Sequence, residues 1–253
     1  MIIYFKMSKT YQNILKQTKF NTPTDWIEIK TIDMHTGGEP LRVILDGFPE
    51  LKGDSVLDCR RYCREHYDYL RTALMFEPRG HADMYGCILV PPNDVQGDFG
   101  IIFLHNEGYS TMCGHAIIAI STLAVHMNWI DVSEGENTIK IDAPCGRITS
   151  YVSVKKGLVE GVRFHCVPSF VTVLDKEITI DGLGKVVYDI AYGGAFYAYV
   201  DMAKNRFDFD LSVASYRQLI DTGMANTGIK VARQFCKKIN TTNTTKTKAS
   251  SRV

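Results

Sequence analysis

The chain has 253 residues, 45% of them hydrophobic and 23% charged, with a formal net charge of +1. That length suits one large domain or two smaller ones with a packed core, and the near-neutral balance argues against nucleic acid or an acidic membrane surface as a partner. Seven scattered cysteines, an odd count, point to a reducing, cytoplasmic setting and not to a disulfide framework, and no run of about 18 apolar residues calls for a membrane span.

Residues 1–25 read as a loose leader, because Lys6, Lys9 and Lys16 interrupt any signal-like core. A strand is expected from Trp26, with Ile27, Ile29 and Thr31 sharing one face, ending in a turn over residues 35–40. Residues 41–45 read as a second strand. Residues 55–75 predict one helix, since Val56, Cys59, Cys63, His66, Tyr67, Leu70 and Leu74 recur at three- and four-residue spacing after a Ser55/Asp58 start resembling a capping box. Strands follow at 85–90 and 100–105. Residues 138–174 are strand-like, with turns at 144–146 and 155–157, and two further strands are expected at 185–191 and 195–200. Residues 211 to about 238 read as a helix weakened at Gly223 and Gly228. The tail 240–253 is Thr-rich, basic and poor in large apolar residues, so disorder is expected there.

The segment Asn106–His115 carries the chemistry. Gly108 permits a sharp turn, and Ser110 or Thr111 is a suitable N-cap for the run that follows. Ala116, Ile117, Ile118, Ala119, Ile120, Leu123, Ala124 and Val125 make that helix apolar on nearly every side, hence buried. Cys113 is expected in its first turn, where free amides and the helix dipole lower a thiol pKa. The amides of Gly114 and His115 suit a carboxylate, and Gly114 has no side chain to block its approach. Local pattern alone also allows a structural cysteine at the start of a buried helix.

Several separate motifs weigh against that second reading. Met112-Cys113-Gly114-His115 resembles the first-half active-site motif of the proline racemase family, which includes racemases, hydroxyproline epimerases and trans-3-hydroxy-L-proline dehydratases. Asp33 to Pro40, Met75 to His81 with Asp83 to Gly86, and Asp189 to Phe196 resemble further family motifs in the same order. His105 to Tyr109 and Ala195 to Ala198 look most like the dehydratase branch.

The resemblance implies a two-lobed α/β fold of the diaminopimelate epimerase-like type, with a small amino-acid substrate held between the lobes. It implies no metal, no cofactor and no nucleic-acid or membrane partner, with a homodimer as one arrangement. Cys113 would take the α-proton, Gly114 and His115 would hold the carboxylate, and His81 and Asp83 would be candidate substrate contacts. The expected division is a leader at 1–25, a first lobe at 26–187, the start of a second lobe at 188–239 and a tail at 240–253. The family's second-half motif, which best separates racemase, epimerase and dehydratase, is not found. A truncated second lobe is therefore expected, and an inert binding form stands beside the enzyme reading. Three other residues have simpler explanations. Cys59, Cys63 and His66 share a helical face as three zinc ligands would, but that face is apolar and is expected to pack in the core. A Cys113/His115 hydrolase pair is disfavoured, because residues two apart on a helix do not face each other. Glu39 is a further candidate for lining the cleft.

Overall fold

The computed structural model describes residues 9–17 and 21–227. Seven strands form one mixed sheet in chain order: β1 (Lys30–Thr36), β2 (Glu39–Asp46), β3 (Tyr85–Val90), β4 (Phe99–His105), β5 (Gly135–Ala143), β6 (Gly146–Lys155) and β7 (Leu158–His165). The β2–β3 and β4–β5 pairs are parallel and the others antiparallel. Strand alternation divides the core into two layers. Leu41, Val43, Cys87, Ile101 and Phe103 pack with helix α4 (Gly114–His126). Ile88, Val90, Ile102 and Leu104 pack on the other face with α2 (Val56–His66) and α3 (Asp68–Met75). Covered on both faces, β4 reads as a continuous apolar run.

A second sheet of three antiparallel strands, β8 (Phe170–Ile180), β9 (Gly184–Tyr192) and β10 (Phe196–Tyr199), is followed by α5 (Met202–Asn205), a short 3-10 turn (Val213–Ser215) and α6 (Tyr216–Thr227). The sheets change over between His165 and Phe170, so β8 pairs in the second sheet.

Several expectations shift. The first strand starts at Lys30 and not at Trp26, and it runs on through His35 and Thr36. Gly37 and Gly38, with φ of +60° and +101°, alone make the turn, and Thr36 pairs with Glu39. A two-residue turn with both φ positive matches strand twist, so the hairpin needs no longer loop. The long helix is two helices, broken at Tyr67 (φ −130°, ψ 18°), whose ring meets Phe48, Tyr62 and Tyr69. The apolar spacing continues across the break, which hid it. Ser55 does cap α2, accepting from the Asp58 amide at 3.2 Å. Within the segment read as a loose leader, Lys9–Lys16 forms a short helix, α1, with Tyr11 and Ile14 exposed. The remainder of the helix expected to reach residue 238, and the tail 240–253, lie outside the described residues. No helix among the described residues is long and apolar enough to cross a membrane.

Candidate active site

The site is built at the end of β4. Gly108 (φ +144°) turns the chain, and His105 and Gly108 exchange backbone hydrogen bonds of 3.0 and 3.2 Å. Buried Arg71 fixes this turn by donating to the carbonyls of His105 (2.8 Å) and Asn106 (2.6 Å), with Asp68 holding its guanidinium. Arg60 donates to the Tyr109 carbonyl at 2.6 Å. The chain therefore enters α4 from a clamped position.

Neither Ser110 nor Thr111 caps that helix. The Ser110 hydroxyl donates to the Met112 carbonyl (2.7 Å), and Thr111 donates to the Gly194 carbonyl in the β9–β10 turn (2.7 Å). The N-cap is Cys113 itself, with extended backbone (φ −146°, ψ 107°), so it precedes the first turn where it was expected. The first helical bond runs from the Ile117 amide to the Cys113 carbonyl. The Gly114 and His115 amides thus have no partner within the helix.

That backbone also changes the relation of Cys113 to His115. The rule that residues two apart do not face each other holds only inside a helix. From the extended N-cap position, the Cys113 sulfur lies 3.4 Å from Nδ1 and 3.6 Å from Nε2 of His115. Near-equal distances put the sulfur off the axis of either N–H. The His115 carbonyl accepts from Thr36 (2.9 Å), which ties the β1–β2 hairpin to the start of α4.

The expected low pKa of Cys113 is reversed. The residue is only 6% exposed, and burial pushes its thiol up to about 12. The Ala116 amide pulls the other way, and the Glu39 charge adds a further upward push. Desolvation wins because the N-cap geometry directs one amide at the sulfur without forming a capping bond. Burial likewise lowers the His115 pKa, partly offset by Glu39 and the Pro40 backbone, so His115 is neutral near pH 7.

Glu39 thus faces Cys113 and His115 electrostatically. Tyr85, at the start of β3, meets the His115 ring edge-on at 4.9 Å and lies 5.4 Å from His105. The Thr111 bond to Gly194 brings the second sheet to this site, and Tyr197 from β10 would have its pKa raised by an ionised Cys113. Neither Tyr85 nor Tyr197 was singled out in the sequence, although Tyr85 stands inside the Asp83–Gly86 motif and Tyr197 inside the Ala195–Ala198 segment. His81 and Asp83 form a local turn, with the Asp83 amide donating to His81 Nδ1 at 3.2 Å. Among the described residues, no hydrogen bond or ring contact joins either side chain to Cys113 or His115. Cys59 and Cys63 are buried, with the Cys63 sulfur 3.6 Å from the Tyr109 hydroxyl, whereas His66 is exposed beside Tyr62. No group of three or more metal-binding side chains is gathered among the described residues.

The family model described as proline racemase matches residues 31–249. The chain belongs to the proline racemase family. All four motif segments, from Asp33 to Phe196, lie inside the match. A trans-L-3-hydroxyproline dehydratase of Xenopus tropicalis is 48% identical over 206 residues, covering 81% of this chain and 59% of the relative. A 3-hydroxyproline 2-epimerase of Burkholderia multivorans is 47% identical over 195 residues, covering 77% and 58%. Among solved structures, a hydroxyproline epimerase from Agrobacterium vitis with bound trans-4-hydroxy-L-proline superposes with a TM-score of 0.74 at 28% identity, covering 79% of this chain and 58% of that one. The fold is accordingly the mixed α/β fold of the family. The chain spans about three-fifths of the length of these relatives.

Proposed function

We propose that this chain carries the catalytic thiol for cofactor-independent dehydration of trans-3-hydroxy-L-proline, with Cys113 taking the α-proton. The observation that carries the reading is the juxtaposition at the start of α4 of a buried thiol and two amides without helical partners. The substrate carboxylate lies on the Gly114 and His115 amides, which places the α-carbon beside the sulfur. Thiolate removes the α-proton, the freed electron pair forms the Cα–Cβ double bond, and hydroxide leaves Cβ and is protonated to water. The enamine then tautomerises to a pyrroline-2-carboxylate.

Burial serves this chemistry in one respect. It makes the thiolate scarce, but a thiolate of high pKa is the stronger base for a weakly acidic C–H. Neutral His115 and Tyr85 flank the sulfur as polar groups that add no charge. His81 and Asp83 enter this reading as contacts to the distal part of the substrate. The chain would work in the cytoplasm, where its thiols stay reduced, and a homodimer is one way to complete the cleft.

A second reading, epimerisation at the α-carbon, is favoured by the Burkholderia relative. An inert binding form is the third. One experiment separates them: the chain and Cys113→Ser are incubated with trans-3-hydroxy-L-proline in deuterated water and followed by proton NMR. Cys113-dependent loss of substrate to a pyrroline is the expected result. Deuterium at Cα with inverted stereochemistry and no elimination would establish the epimerase, and no change in a folded sample would favour the binding form.

A further inference from the structure

Two thiols close to Cys113 have no part in that chemistry. Cys145 occupies the turn between β5 and β6, closed by the Ala143–Gly146 pair, and Cys166 follows the last β6–β7 pair, Thr149–His165. Both therefore sit at one end of three adjacent strands. Both side chains pack against the core beneath α4, and each thiol acts on the ionisation of the other and of Tyr192. Cys59, Cys63, Cys87 and Cys113 are all buried, whereas Cys145 and Cys166 are partly open to solvent.

The pair also bridges the two sheets. The Cys145 amide donates to the Thr111 carbonyl at 3.1 Å, holding the loop that leads to Cys113. The neutral Cys166 thiol reaches the Gly193 carbonyl at 3.6 Å, in the same turn whose Gly194 carbonyl accepts from Thr111.

We propose that Cys145 and Cys166 are a peroxide-oxidisable dithiol, a reversible modification site beside Cys113. Cys166 is the attacking sulfur and Cys145 the resolving one. The Cys145 thiol directed at Cys166 draws its pKa below the ordinary thiol range; burial opposes this, and the Val167 amide assists it. The Cys166 thiolate attacks one oxygen of hydrogen peroxide. An S–O bond forms, the O–O bond breaks, and the departing hydroxide takes a proton to become water, leaving a sulfenic acid. The Cys145 sulfur then attacks that sulfur, an S–S bond forms, and the S–O bond breaks. The second hydroxide takes the Cys145 proton and leaves as water. Two thiols lose two electrons, and one peroxide becomes two waters. A thiol reductant such as glutathione reverses the bond by exchange. Once oxidised, Cys166 no longer donates to Gly193, and β6 and β7 are closed into one covalent loop.

The test needs no assumption about the reaction at Cys113. The reduced chain is treated with a few equivalents of hydrogen peroxide, blocked with iodoacetamide, digested with trypsin and analysed unreduced by mass spectrometry. The expected product joins residues 141–147 to residues 164–176, two hydrogens lighter than the separate peptides. It should disappear with dithiothreitol and in Cys145→Ser, in which dimedone should trap Cys166 as the sulfenic acid. It should also form at least about tenfold faster than any oxidation of Cys113, as expected for the more ionised and more open thiol. Oxidation of Cys113 ahead of the pair, a cross-link between other cysteines, or both peptides recovered fully alkylated would overturn the proposal.

Discussion

Alkylation of Cys113 tests the electrostatics of the site without requiring turnover. An ordinary thiol of pKa 9.0 is roughly one-tenth ionised at pH 8, whereas burial moves Cys113 to about 12, leaving roughly one part in ten thousand. The thiolate population therefore falls about a thousandfold. A more basic thiolate is also more nucleophilic, and a Brønsted slope of about 0.4–0.5 recovers roughly 15- to 30-fold of that loss. Iodoacetamide should thus label Cys113 about 30- to 60-fold more slowly in the folded chain than in urea at pH 8. The folded rate should keep rising about tenfold per pH unit well past 9.0, and mass spectrometry of the Cys113 peptide follows it directly. Glu39→Gln should accelerate labelling only modestly, because burial is the larger cause and the Glu39 charge the smaller. The same sign applies to stability. With the folded pKa above the unfolded one, the contribution of this thiol is full below pH 9.0 and is lost as pH rises towards about 12. A folded-state rate equal to that in urea, or a plateau near pH 9, would refute the reasoning.

Four substitutions test the scaffold. Gly194 has φ +95°, and a Cβ there would lie 2.7 Å from Met112 Cβ and Cγ; Gly194→Ala should cost about 1–3 kcal/mol in urea unfolding and change the Cys113 labelling rate. Gly223→Ala, in open space on α6, should be neutral or slightly stabilising. Asp142, 1% exposed, accepts from Arg147 Nε (2.8 Å) and Nη2 (2.9 Å) and from the Asn93 amide (2.8 Å). Asp142→Asn should cost about 2–3 kcal/mol, less than a fully buried pair because Arg147 is partly open to water. Asp94→Asn, on the exposed side of the same guanidinium, should cost less than about 1 kcal/mol.

Local periodicity made much of the fold legible. The apolar runs of β2, β3 and β4 and the all-apolar α4 were readable because each must bury its faces against neighbours, and apolar sequence records that demand. The turns at Pro144–Gly146 and Lys156–Gly157 were readable from residues that tolerate unusual backbone angles; Lys156 and Gly157 have φ of +51° and +74°. The break at Tyr67 was not, since apolar spacing runs on through it.

What the residues determined alone was the family, through ordered motifs, and the place of Cys113 at the start of a buried helix. Tertiary structure decided the rest. Whether Ser110, Thr111 or Cys113 caps α4 depends on Gly194, 83 residues from Thr111, competing for the Thr111 hydroxyl. Whether the Cys113 pKa falls or rises depends on how completely water is excluded against how many amides point at the sulfur. The approach of Tyr85, Glu39 and Tyr197 depends on strands far apart in the chain. A helix start proclaims its dipole in the local sequence, but desolvation is a property of everything packed around it, and at Cys113 it is the larger of the two.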